Sequence, residues 1–238
     1  VDPNDEFDLY MGYVDLKLSV LPLSVRVGRQ EINYGRGRVL SKSWGSPYGK
    51  SYDAVMLTYR DDLVTVDAFA ANKVEREQDD FNTADHFEDI YGVYAQFKPT
   101  RAHKQDAYLM VRTNRDYPVT GEDGRQGDLA VYTLGARAYG SFFGRALRYD
   151  IEIPVQFGKY ARDDISAWAL AVDLEYNLVD VRFKPYVGLE FDHASGDDDR
   201  TDGDHNRFTD ALSTNWPRLG TANMFNWENV DHLGLRVG

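Results

Sequence analysis

Period-two segments joined alternately by short and long connections run along this whole chain, an order that few folds other than an up-and-down sheet produce. Strand candidates fall at 9–20, 23–30, 52–60, 63–73, 88–98, 105–114, 129–140, 146–157, 166–176, 182–192 and 231–238. In most of them one parity is apolar. Leu147, Tyr149, Ile151, Ile153, Val155 and Phe157 alternate with Arg148, Asp150, Glu152, Pro154 and Gln156. Phe183, Val187, Leu189 and Phe191 alternate in the same way with Arg182, Lys184, Tyr186 and Glu190. The connections at 21–22, 61–62, 98–104, 141–145 and 177–181 are short, whereas 31–51, 74–87, 115–128 and 193–230 are long, with a lesser one at 158–165. Tight turns at one end and extended loops at the other are what an outer-membrane barrel shows. A soluble sandwich with Greek-key crossings has no reason to sort its loops by length.

Composition narrows the partners. A formal charge of −12 argues against nucleic acid, which needs a basic surface. The absence of cysteine is compatible with passage through an oxidising periplasm. No apolar run approaches the roughly 20 residues of a transmembrane helix. A barrel strand needs only about 10 alternating residues, so a mean hydropathy of −0.54 does not argue against one. The opening Val1-Asp-Pro-Asn-Asp-Glu reads as an acidic loop without a signal peptide. With about eleven strands, an odd number, and neither end resembling a barrel terminus, residues 1–238 are expected to be one internal piece of a larger barrel. The expected fold class is all-β: a partial, antiparallel up-and-down transmembrane β-barrel.

Periodicity alone does not say which face is inside. In a soluble barrel the apolar parity would form a core; in a membrane barrel it would face lipid. Acids concentrate in the loops, notably Asp79-Asp80 and Asp197-Asp198-Asp199, while the polar strand face carries both signs, as a lumen with paired charges would. Tyr10, Tyr59, Tyr91, Tyr132, Tyr149, Trp168 and Tyr176 share the apolar parity near strand ends, where interfacial girdles sit. If that parity is outward, Arg26, Arg60, Arg112, Arg137, Arg148, Arg182 and Arg236 point inward together with Asp67, Asp150, Glu152, Asp173, Glu175 and Glu190. Guanidinium groups stay charged and grip carboxylates in a fork, so such a ladder could pass a polyanion. The same arginines could instead neutralise the lumen acids and stiffen the wall.

Two segments resemble the alginate-export family of bacterial outer-membrane barrels. One runs Val25-Arg-Val-Gly-Arg-Gln-Glu-Ile-Asn-Tyr-Gly-Arg-Gly-Arg38, followed by Trp44-Gly45 and the strand from Tyr52. The other runs Leu189-Glu-Phe-Asp-His-Ala-Ser-Gly-Asp-Asp-Asp199, with Asp202-Gly203, Phe208, Thr214-Asn-Trp216, Asn226-Trp227 and Leu233-Gly-Leu-Arg236 after it. The resemblance implies a Gram-negative outer-membrane barrel of about eighteen strands. It also implies export of alginate, a polyuronate, through an arginine-rich lumen. The expected contacts are an anionic polysaccharide or small anions inside, outer-membrane lipid outside and periplasmic export partners, with no cofactor.

Other chemistry has weaker signatures. Asp198, Asp202 and Gly203 fit part of a calcium loop, but Arg200 occupies a ligand position and no glutamate closes it, so a solvated extracellular loop is the better reading of 197–204. The histidines, including His193 and His205, have no metal spacing. As an alternative, a β-barrel enzyme acting on polysaccharide or lipid would need a nucleophile or an acid pair. No serine stands in a Gly-x-Ser-x-Gly context, and the Asp150 and Glu152 pair is the nearest approach to a glycosidase dyad.

Overall fold

A computed structural model describes residues 9–42, 49–75, 83–213, 219 and 225–238, with backbone alone at 85–87 and 115–116. Trp44-Gly45, Asp79-Asp80 and Thr214-Asn-Trp216 lie outside the described residues. The chain forms β1 (Gly12–Leu18), β2 (Leu23–Gln30), β3 (Tyr52–Arg60), β4 (Val64–Val74), β5 (Ala84–Phe97), β6 (His103–Thr120), β7 (Gln126–Phe142), β8 (Leu147–Tyr160), β9 (Asp163–Asn177), β10 (Tyr186–Ala194), β11 (Asp204–His205) and β12 (Val230–Val237). One continuous sheet results, in which each strand from β1 to β10 pairs antiparallel with its sequence neighbours and β12 follows β10. The two-residue β11 is set apart, lying parallel to β9. Among the described residues β1 and β12 are the two edges of the sheet and do not pair with each other. This is the up-and-down order expected of part of a barrel, without Greek-key crossings.

Burial settles the question of faces. In β8 the apolar Ile151, Ile153, Val155 and Phe157 are exposed, while Asp150, Glu152 and Gln156 between them are buried. The pattern repeats across the wall: register aligns Leu109, Leu134, Val155 and Trp168 in one outward row, each at least 37% exposed. A protein folded in water does not present such a belt, so the apolar parity is not a soluble core. All seven aromatic residues expected in girdles are on the outer parity of their strands or, for Tyr10, just ahead of β1. Inward glycines lie beneath large rings: Tyr108 crosses Gly135, its register partner, so closely that a Cβ there would meet the ring at 2.2 Å.

Four expectations need correction. The connections at 115–128 and 158–165 are mostly strand, because β6 and β7 extend to Thr120 and Gln126 and β8 and β9 to Tyr160 and Asp163. Polar alternation in these extensions carries no apolar parity to read. At about 3.3 Å per residue, the 18 residues of β6 span roughly 60 Å, far beyond an apolar band of about 25 Å even when tilted. The strand expected from Arg182 starts only at Tyr186, since Phe183 and Lys184 adopt positive φ and Pro185 has no N–H to pair. Lastly, the long segments 31–51 and 193–230 do not simply extend outward: among their described residues Ile32, Leu40, Phe208 and Trp227 pack on the concave side of the sheet.

These two loops supply the interior packing. Ile32 and Leu40 join Tyr52, Phe69, Ile90, Tyr94 and Met110 in one buried cluster. Phe208 and Trp227, both essentially inaccessible, pack edge to face over small inward residues, Ala167, Ala169 and Ala171 of β9. The loops are also tied to each other, with the Ser41 amide donating to the Leu212 carbonyl at 3.0 Å and Lys50 Nζ to that of Ser213 at 2.9 Å.

If the exposed row faces lipid, Leu134→Arg destabilises the wall by about 2–4 kcal/mol at mid-bilayer depth. Denaturant titration in lipid vesicles measures this, and a change below 0.5 kcal/mol (about the scatter of ordinary surface substitutions) would reject the lipid-facing assignment.

Candidate functional site

The loop after β2 places two arginines inside the wall through the run Gly35-Arg36-Gly37-Arg38. Gly35 and Gly37 take left-handed φ of 57° and 74°, which a side-chain-bearing residue adopts with strain. The turn is closed by the Gly37 amide donating to the Tyr34 carbonyl and the Tyr34 amide to that of Leu40. Arg38 is thereby driven across the interior, its side chain 2% exposed, where Nη1 donates to Asp150 Oδ1 at 3.0 Å and to Glu152 Oε2 at 2.9 Å. Burial opposes its charge, but Glu152 and Asp150 outweigh that and raise the guanidinium above its ordinary pKa.

Arg137 of β7 completes the cluster. Its Nε and Nη2 grip both oxygens of Asp150, and Nη1 reaches Asp106 Oδ2 at 3.1 Å. Hydroxyls join them, Tyr94 donating at 2.5 Å to the same Asp106 Oδ2 that Arg137 binds and Tyr108 donating at 2.9 Å to Glu152 Oε1, the oxygen that Arg38 leaves open. Tyr34 stacks on Tyr94 at 4.2 Å between ring centres, and Tyr94 on Tyr108 at 5.6 Å. Tyr34 also donates to Asp67. Two guanidiniums thus share three carboxylates beneath an aromatic stack, and removing one partner would leave buried charge unbalanced.

A second cluster lies toward the end of the sheet that carries the short turns. Arg36 Nη1 and Arg236 Nη2 bind opposite oxygens of Asp173 at 2.6 and 2.7 Å. Arg236 also approaches Glu190 at 3.4 Å, and Arg148 pairs with Glu175 at 3.0 Å. Of the other arginines singled out in the sequence, Arg26 is forked onto Asp15 and Arg112 lies 3.8 Å from Glu88. Arg60 is exposed, with no ion pair among the described residues, beside a cavity of about 440 Å³ that it lines with Asn33, Asp67, Gln96 and Lys98. Arg182 is not on a strand: it lies in the 178–185 turn with its guanidinium over the Phe183 ring.

Arg36 and Arg38 were missing from the sequence-derived site, although the segment containing them was singled out. Their signal was alternation of glycine with arginine, which permits a tight inward turn but does not specify one. Asp150 and Glu152, the nearest approach to a hydrolytic dyad, are both engaged by arginine. The 197–204 segment docks on the wall through β11, and its Gly203 amide donates to Glu122. Among the described residues, Glu190, Asp192 and His232 bring ligand atoms within 4.8 Å of one another and could hold a metal ion. Arg236 beside Glu190 already supplies a counter-charge there, and His232 Nδ1 lies 3.3 Å from Asp192.

Comparison with known proteins places these features in context. A sequence model of the family described as alginate export matches residues 1–238, the entire chain. No curated protein matches it.

The buried cluster makes a quantitative demand on Arg38. Arg38→Ala leaves Asp150 and Glu152 short of a counter-charge and is expected to lower stability by about 3–5 kcal/mol. Thermal unfolding and protease cutting within 31–51 should both shift, and an unchanged cleavage pattern would show that Arg38 does not hold the loop inside.

Proposed function

We propose, from the premise that this chain belongs to the alginate-export family, that it forms the wall of an outer-membrane channel through which an anionic polysaccharide, or small anions, pass without chemical change. The observation that carries this reading is the inverted burial, apolar residues exposed on the convex face and ionised groups enclosed on the concave one. Such a wall suits lipid outside and water inside. A sealed wall also requires the edges of β1 and β12 to be paired, by each other or by further strands.

Within the lumen, selectivity for anions rests on cations whose charge is not cancelled nearby. Arg38 and Arg137 are matched by three carboxylates and act chiefly to shape the passage. Arg60 has no ion pair among the described residues, and half-exposed Arg36 and highly exposed Arg148, though paired with Asp173 and Glu175, are open enough to exchange those partners for a solute. Guanidinium favours carboxylates over simple anions because of its planar fork. A polyuronate could therefore move by exchanging one such partner for another. Periplasmic partners would engage the short-turn end, where the channel meets the compartment that supplies the solute.

Reversal potentials across a salt gradient test the proposal. Replacing Arg60 and Arg148 together with glutamine should reduce the anion-to-cation permeability ratio several-fold and weaken block by oligouronate. Lysine at both positions should preserve the ratio but not the block. A wild-type pore that prefers cations would overturn the reading.

A further inference from the structure

The cations that lack an acidic partner are not spread evenly through the lumen. Arg36, Arg38, Arg137, Arg148 and Arg236 each engage a carboxylate. Arg101, Lys104, Arg145 and Lys184 have no ion pair among the described residues, and all four line one cavity of about 880 Å³. They come from successive hairpins at one end of the sheet. Arg101 is in the turn between β5 and β6, Lys104 is the second residue of β6, Arg145 is in the turn between β7 and β8, and Lys184 is in the turn between β9 and β10. The carboxylates in the same lining do not cancel them, since Asp150 is held by Arg38 and Arg137, Asp173 by Arg36 and Arg236, and Glu175 by Arg148.

The opposite end has the reverse character. Glu122, Asp163, Asp197 and Arg200, with Arg207 paired to Glu228, line a separate cavity of about 610 Å³ at the long-loop end. Asp198, Asp199 and Asp202 belong to the same loop. The two cavities therefore differ in the sign of their unmatched charge, basic at the short-turn end and acidic at the long-loop end.

We infer that the short-turn cavity is a capture site for polycarboxylates, which draws the end of a polyuronate into the channel from that side. This rests on the proposed passage of anions and adds to it a docking site and a sidedness. A linear polyuronate offers one carboxylate per sugar ring, and several unmatched cations around a cavity can take several at once. A cleft lined by one sign of charge raises local counter-ion concentration and association rates by about 10- to 1,000-fold. Exposed side chains on turns release their ligand readily, as transfer to the deeper arginines requires. Salt screens exposed charge over about 8 Å at physiological strength, so capture weakens as salt rises.

The test is block of the complete channel in zwitterionic planar bilayers by oligouronate added to one side at a time, so that no anionic headgroup competes. Channel orientation is read from thiol-specific labelling of a cysteine placed at the exposed Asp199. In wild type, block from the short-turn side has the faster on-rate. The triple variant Arg101→Gln, Arg145→Gln, Lys184→Gln, all at exposed turn positions, should slow that on-rate at least tenfold and leave block from the long-loop side within twofold of wild type. Lysine at 101 and 145 with Lys184 retained should keep the fast on-rate. Equal on-rates from the two sides in wild type, or a triple variant with undiminished short-turn block, would overturn the capture site while leaving anion passage standing. Loss of anion preference in wild type would instead overturn the proposed function itself.

Discussion

The interior of this wall is governed by the pairing of buried charge. An antiparallel sheet that turns its apolar side chains outward has only polar side chains and inserted loops with which to fill its concave side. Isolated ions there would be prohibitively unfavourable, so the enclosed carboxylates and guanidiniums must meet. Arg38 shows the consequence most directly. It comes from a loop more than a hundred residues before its partners Asp150 and Glu152, and its pairing helps hold that loop against β8. Position of the loop, width of the passage and ionisation of the lumen are thus one coupled problem rather than three.

Pairing also divides the arginines by what they can do. A guanidinium already forked onto a carboxylate, as Arg137 is onto Asp150, has little left to offer a passing solute. The two readings that the sequence leaves open, conduction and neutralisation, therefore apply to different residues. Neutralisation describes Arg38 and Arg137. Availability to a solute describes Arg60, at the end of β3, and the cations of the turns; the latter are not on strands, so no strand pattern brings them forward.

The strand order and the outward parity were legible in the sequence because both follow from local chemistry: period two places alternate residues on opposite faces, and Ile151 to Phe157 announce which face is apolar. What the sequence concealed was non-local. The extensions of β6 to β9 past the apolar band alternate nothing hydrophobic, so residues 115–128 read as loop although most of them continue the ladder. Phe208 and Trp227 gave no warning that an acidic, glycine-containing loop would bury two of its aromatic rings inside the barrel. Their receiving surface, Ala167, Ala169 and Ala171, reads as unremarkable small residues until the loop is laid upon it. Arg182 fails for a local reason instead, the positive φ at Phe183 and Lys184, which a parity argument extended back through Pro185 overlooks.

An acidic chain and an anion pathway are compatible once charge is assigned to places. The formal charge of −12 counts every group equally, but a permeating ion responds to those within a screening length of its path. Aspartates of the 197–204 loop are at one mouth, where their field is exposed to salt, and Asp106, Asp150 and Asp173 deeper inside are each tied to an arginine. A group of cations without ion pairs among the described residues lines the cavity at the other mouth. An acidic rim raises the barrier for a polyanion in both directions and a basic rim draws one in, so the asymmetry biases the mouth at which a polyanion is first captured without any moving part. That bias concerns rates of capture and release; net movement still follows the gradient of the solute, as passive passage demands.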